Sequence, residues 1–534
     1  MNLRDHILLF LLGLVLFIPF LGQVHLFDWD EINFAESARE MMITGNWFQV
    51  QINFEPFWEK PPLFFWMQVL SMKLFGVNEF AARLPNAIAG ILTLQVFYLI
   101  GAHHHGRDFG ILWALLYVGS FLPHLYFKSG IIDPWFNLFI FLSIYFLYLI
   151  IEEKAYGRFK YAVAAGIFTG LAILTKGPVG FLLFLLTFLT WWVWSRFRRP
   201  ASFGVIATYA LVALSVTFLW FGLETLQNGP WFLVEFITYQ VDLFLNPVAG
   251  HKQPIYYHFL VVLLGCFPLS VFAIPTFSRR FQGDHDRLSL WMKFTFWVVM
   301  ILFSIVTTKI VHYSSMSYLP LSYLAALFIH ERIQSRKRLP RWQHIWVSAQ
   351  GGLIAFALLT VPLLIQFRAK WVHLIKDPFV VGNLEATVDG FGGEWLVGVV
   401  FATVLILTLR TMRRQLHSGV RILCMGTALT IFLTMPLIVP IIESISQRSA
   451  IAFFEAQQGE DVYLETYGYK SYAHYFYGRI QPSTSHNMDE HALDGSQKPI
   501  MVSVKVNRLE RFIEEYPNAQ FLNEEGGFHF FQID

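Results

Sequence analysis

The sequence predicts a mainly α-helical protein: a polytopic membrane helix bundle of about thirteen spans, followed by a small C-terminal extracytoplasmic α/β domain. Three observations predict it. Hydrophobic residues make up 55% of the 534 positions and charged residues 14%, against roughly 45–50% and ~25% in soluble domains, and the mean hydropathy is +0.49. The apolar residues gather in runs close to the ~20 needed for a hydrogen-bonded helix to cross ~30 Å of hydrocarbon. Beyond about residue 445 the runs stop and polar turns separate short strand-like segments. A soluble enzyme could not bury 55 phenylalanines, and a disordered chain would be poor in aromatics. A net charge of +2 points to no nucleic-acid partner.

The spans are expected at roughly 7–27, 84–101, 111–127, 132–151, 161–175, 179–194, 202–222, 256–277, 289–306, 316–330, 346–366, 394–410 and 421–443. The first lacks a small-residue cleavage site and reads as a retained span. Basic residues set the orientation. Arg196, Arg198 and Arg199, the group from Arg332 to Arg341, and Arg410, Arg413, Arg414 and Arg421 fall in short connections on one side. That side is the cytoplasm, with the N-terminus in it and the C-terminus outside, so the protein belongs in the inner (plasma) membrane as a multi-pass chain. Residues 1–445 form the membrane domain and 446–534 the outer α/β domain, with DVYLETY, PIMVSVKV and FHFFQID as strands and NRLERFIEEYP as a helix. Within the outer connection 28–83, DWDEINFAESAREMM and PPLFFWMQVLSMKLFG read as amphipathic helices lying at the interface, one face in lipid. Cys266 and Cys424 sit in apolar runs and read as buried, inert thiols.

Ionisable groups at membrane level are costly, so a one-sided cluster of them points to function. On the outer side stand Asp28, Asp30 and Glu31 after the first span, and Glu59 and Lys60 before Pro61-Pro62. Asp133 stands at the head of the fourth span, Lys176 in TKGPVG, His251 in AGHKQPIYYH, and Lys309, His312 and Tyr313 in TKIVHYSS. Each also has a plainer reading. Asp28, Asp30 or Glu31 could cap the helix that follows, and Asp133 beside Pro134 suits a helix start. Glu59-Lys60 could be a solvated pair, His251 an interfacial histidine, and Lys176 and Lys309 snorkelling side chains. His103, His104 and His105 fall on the cytoplasmic side as a loop. The spread of the groups over separated regions of chain suits one outward-facing cavity, with carboxylates for acid/base or metal work and lysines for an anionic group.

WDEINFAESAREM, FEPFWEKPPLFFW, EFAARLPNAIAG, SGIIDPWFNLF, TKGPVG and TKIVHYSSMSYLPLSYLAA together resemble the bacterial branch of the GT-C glycosyltransferases. That branch includes the 4-amino-4-deoxy-L-arabinose lipid A transferases and relatives of the protein O-mannosyltransferases. The resemblance implies transfer of a sugar from a polyprenyl-phosphate donor to a lipid A, protein or other glycan acceptor at the periplasmic face of the membrane lipid. By motif, Asp30 resembles the family's first acid and Asp133 its second, both in catalytic positions. Lys60 looks like the residue that meets the donor phosphate. Glu31, Lys176, Lys309, His312 and Tyr313 fall among the substrate-binding positions, and Glu59 with His251 resembles the pair that holds a divalent metal. Ile32-Asn33-Phe34 departs from the basic or aromatic pair of many relatives. No nucleotide cofactor is implied, and the chain carries no P-loop or Rossmann fingerprint. The alternative is a transporter or flippase of a lipid-linked or anionic substrate, which would need polar residues at the bilayer midplane.

Overall fold

The computed structural model describes residues 2–57, 59–152, 157–245, 253–278, 287–386, 388, 390, 392–485 and 498–534. The chain begins with helix α1 (Leu3–Phe17), capped by Asn2, whose side chain accepts the Arg4 N–H. It stops ten residues before the expected end of the first span. Pro19, which cannot extend the helical hydrogen bonds, follows at once.

The next segment corrects the sequence reading. Helix α2 (Asp30–Thr44) does not lie with one face in lipid: every residue from Glu31 to Met41 is buried. It packs against α3 (Leu63–Phe75), against strand β1 (Gln51–Ile52) and against the C-terminal helix Ala473–Gly478. Its charges are answered inside the protein. Arg39 places its fork on Glu36 at 2.6 and 2.7 Å and donates to the Ile480 carbonyl at 2.7 Å, while Glu40 accepts the N–H groups of Asn53 and Phe54 at 2.6 and 2.8 Å. β1 closes a two-residue hairpin with β2 (Glu55–Pro56). Helix α3 does keep two faces. Phe64, Phe65, Val69 and Met72 are buried, and Leu70, Leu74 and Phe75 are exposed, an apolar strip that suits a lipid surface.

Helix α4 (Glu79–His105) is capped by Asn78, which accepts the Ala81 N–H at 2.9 Å. Among the described residues, six helices are long and apolar enough to cross a membrane: α4, Asp133–Glu152, Arg158–Lys176, Arg287–Ile305, Arg341–Gln366 and Leu416–Ser444. Three further candidate spans are helix pairs bent by 85° between Val118 and Phe121, 47° between Phe218 and Phe221, and 117° between Gly265 and Leu269. Leu63–Phe75, Val179–Trp194 and Leu396–Met412 are shorter apolar helices. The thirteen apolar runs thus correspond to fewer straight spans among the described residues, because three bend midway and four form helices of 15–17 residues. At the first bend Gly119 lies so close to Cys424 that a Cβ would stand 2.4 Å from its Cα. The third bend contains Pro268, which cannot donate a backbone hydrogen bond.

The membrane core is aromatic. Phe97 stacks on Trp113 at 4.2 Å, and Trp113 donates its indole N–H to Ser322, the partner a buried indole requires. Cys266 and Cys424 are buried and unbonded to each other.

The tail forms a four-stranded sheet in the order β3 (Tyr463–Tyr467), β4 (Ile500–Lys505), β6 (Phe528–Ile533), β5 (Gln520–Glu525). β3 and β4 are parallel, and the other pairings are antiparallel. Helix Leu509–Glu515 covers one face through Phe512. β5 went unread in the sequence because all of its residues are exposed, so QFLNEE lacks the alternation that marks a half-buried strand. The other face of the tail shares a core with the outer connection: Ile32, Phe34, Phe64 and Phe65 join Ala450, Phe454, Phe476 and Phe530.

Candidate functional site

A cavity of about 490 Å³ opens where α2, the loop before α3, the membrane helices and the tail meet. Asp30, Glu59, Lys60, Asp133, Lys176, His312 and Tyr313 all line it. Local structure explains each position. Asp30 is the first residue of α2, where a carboxylate suits the positive end of the helix dipole. Asp133 is likewise the first residue of its helix, with Pro134 next. Lys176 is the last residue of helix Arg158–Lys176, which Gly177 terminates with φ +84°, a conformation that glycine adopts without strain. His312 and Tyr313 stand on the short 3₁₀ segment Val311–Ser317.

The charges interlock. The Lys176 ammonium donates to Asp133 Oδ1 at 2.6 Å. His312 Nε2 lies 3.4 Å from Asp30 Oδ2 and 4.0 Å from Asp133 Oδ2, so one imidazole stands between the two acids. The Asp133 side chain is 3% exposed and that of Asp30 38%, which makes Asp30 the acid open to an incoming group. Lys60 Nζ lies 3.9 Å from Glu59 Oε2, and Tyr239 donates its hydroxyl to the same oxygen at 2.6 Å. Burial pushes the Lys60 ammonium down from its ordinary pKa, and the charges that act on it are those of Glu59, Asp30, Lys176 and Asp133. A lysine held this way gains most from an anion that arrives with little water.

One wall is apolar: Phe181, Leu182, Leu185, Leu302, Phe303 and Val306. Charged groups and hydrocarbon in one lining suit an amphiphilic ligand.

Two residues expected to bind substrate stand elsewhere. Glu31 points into the protein, where Arg83 donates to its two oxygens at 3.0 and 2.8 Å and the N–H groups of Phe27 and Gly130 complete its shell. Arg83 in turn donates to the carbonyls of Leu21, Val24 and His25. The pair anchors the outer connection to α4 and has no capacity left for a ligand. Lys309 is buried and donates to the Val306 carbonyl at 2.7 Å, and its neighbour Thr308 lines the cavity instead. Asp28 does not cap α2: the N-cap is Trp29, with no side-chain cap bond. Asp28 accepts instead from the Tyr472 N–H, and burial raises its pKa.

His251 lies outside the described residues. Among those described, no group of three or more His, Cys, Asp or Glu could hold a metal ion. Glu59 has Tyr239 and Lys60 as partners, so this carboxylate alone does not make a metal centre.

The cavity also takes residues that sequence reasoning missed: Trp29, Tyr239, Lys470 and Tyr472. Tyr239 reads as one more aromatic in an apolar helix. Lys470 and Tyr472 belong to the tail, and no local signal tells that they face residues more than four hundred positions earlier.

Residues 59–220 match the dolichyl-phosphate-mannose-protein mannosyltransferase family. The chain is 28% identical over 332 residues to the undecaprenyl phosphate-alpha-4-amino-4-deoxy-L-arabinose arabinosyl transferase 1 of Proteus mirabilis, covering 61% of this chain and 59% of that protein. It is 24% identical over 446 residues to the corresponding transferase of Shewanella sediminis, covering 83% and 78%. The crystal structure of ArnT from Cupriavidus metallidurans bound to undecaprenyl phosphate superposes with a TM-score of 0.76 at 19% identity, over 99% of this chain and 98% of that one. Family match, relatives and fold point the same way: the chain has the GT-C fold and is similar to the membrane-bound aminoarabinose transferases.

Proposed function

We propose that the cavity transfers a sugar from a polyprenyl-phosphate donor to lipid A, or to another envelope acceptor, at the outer face of the inner membrane. One observation carries this reading: three acids, three lysines and a histidine from separated parts of the chain line one hollow that also has an apolar wall. The apolar wall suits a prenyl chain and the lysines suit its phosphate. That the curated relatives act on an undecaprenyl-phosphate-linked sugar supports the same assignment. In this reading the N-terminus is cytoplasmic and the C-terminus periplasmic, as the basic loops indicate.

In the reaction an acceptor oxygen attacks the anomeric carbon while the bond from that carbon to the phosphate oxygen breaks. The leaving polyprenyl phosphate is stable as an anion, so no general acid is needed. Its developing charge is met by Lys60 and Lys176, fixed in a site partly closed to water. Asp30 takes the proton from a hydroxyl acceptor, with His312 at 3.4 Å to steady the carboxylate. Where the acceptor is itself a phosphate, no proton has to leave, and Asp30 orients the sugar. Asp133 holds Lys176 in place.

Lys60→Met is expected to lower kcat/KM for the donor about 10–100-fold, the range for losing a charge-assisted contact to phosphate. The measurement is transfer by purified enzyme from a radiolabelled polyprenyl-phosphate sugar, and an unchanged kcat/KM would remove Lys60 from the donor site.

For a divalent cation we propose only that Glu59 is a contributing ligand, together with His251. Such an ion would offset phosphate charge when bound. Glu59→Gln is then expected to lower bound metal, read by elemental analysis of the purified protein, and equal content in both proteins would dismiss the assignment.

A further inference from the structure

The cavity has a third lysine, and it comes from the tail. Lys470 lies in the turn after β3, between Tyr469 and Tyr472, and reaches the cavity rim. The turn is fixed on both sides. Tyr469 donates its hydroxyl to Ser503 Oγ on β4 at 2.8 Å and accepts the Thr466 hydroxyl at its carbonyl, while the Tyr472 N–H bonds Asp28. The Lys470 ammonium sits 5.0 Å from the centre of the Trp29 ring and 5.7 Å from that of Tyr472. Such contacts hold a cation in place without neutralising it.

The three lysines therefore differ. Lys176 is paired with Asp133, and Lys60 faces Glu59. Lys470 forms no ion pair with a carboxylate among the described residues. The inner lysines and the apolar wall thus account for the donor, and a separate positive charge stands at the mouth, exposed and held by aromatic rings.

We propose that Lys470, held by Trp29 and Tyr472, binds an anionic group of the acceptor and so makes the tail part of the acceptor site. This rests on the transferase reading above and extends it by assigning the acceptor a negative charge beyond its reacting oxygen. A phosphorylated glycolipid meets that description, whereas a neutral protein hydroxyl does not.

The test uses full-length protein in nanodiscs, with wild type, Lys470→Met and Lys470→Arg compared. Binding is measured separately for lipid A carrying both phosphates and for undecaprenyl phosphate. The methionine variant is expected to bind the phosphorylated lipid A about tenfold more weakly, with Arg restoring most of the loss. Undecaprenyl phosphate should bind all three proteins alike. In transfer assays the loss should fall on the KM for the acceptor and not on that for the donor. Unchanged lipid A binding in the methionine variant would overturn the proposal, as would a loss confined to undecaprenyl phosphate. A wild-type protein that makes no product from this donor and acceptor would instead defeat the functional reading, and the binding comparison would still decide the role of Lys470.

Discussion

Asp30→Asn is expected to cut sugar transfer by about 10²–10⁴-fold, the contribution of a positioned general base. The variant should fold and insert like wild type, because its carboxylate is part-exposed and supports no buried ion pair: its ionisable neighbour is His312 at 3.4 Å. The measurement is single-turnover transfer in proteoliposomes, beside circular dichroism of the same sample. Full activity would reject Asp30 as base or orienting group. The amide keeps the shape and one hydrogen-bond acceptor but cannot take a proton. A hydroxyl acceptor should therefore suffer the larger loss, and an acceptor that attacks through phosphate the smaller one. Comparing the two acceptor types in one variant separates the roles of base and of positioning group.

Arg83→Met is expected to destabilise the protein by about 3–5 kcal/mol, the cost of leaving a buried charge unpaired. Glu31 and Arg83 are both buried, and the guanidinium also holds three carbonyls. Thermal unfolding in detergent should show the fall, and the double change Glu31→Leu with Arg83→Met should recover part of it. An unaltered melting curve for the single variant would show that the pair is not an anchor. Burial by itself would raise the Glu31 carboxyl, but Arg83 outweighs it and holds the pKa below its ordinary value. The stabilisation from this pair is therefore complete above the pKa of the unfolded carboxyl, near 4.5, and is lost as pH falls through the lower folded value.

The fold class was legible because composition and run length are properties of the whole chain, and hydrocarbon imposes one solution on any backbone that crosses it. Bends were harder to read. The run 256–277 looks continuous, since Gly265 and Pro268 are both common in spans, and only packing decides that the helix turns there by 117°. The site divides in a similar way. Asp30, Lys60, Asp133, Lys176 and His312 stood out because a charge beside an apolar run is costly. Glu31 stood out for the same reason, yet its cost is met by Arg83, which lies 52 positions away. A residue's charge is visible in the sequence, whereas the partner that satisfies it is not. Helix α2 was misread on that account, since its polar face suggested water and is instead paired inside the protein. Lys470 and Tyr472 carry no local mark because they gain their surroundings only when the two ends of the chain meet.

The shared core between α2 and the tail also bears on how the enzyme matures. Asp30 is made among the first residues, but the Phe454 and Phe476 that share the core of its helix, and the Lys470 that lines its cavity, are made among the last. The lining is complete only once Lys470 and Tyr472 have been made, after the membrane helices. Throughout that interval the newborn chain lacks the part of the lining that Lys470 and Tyr472 supply.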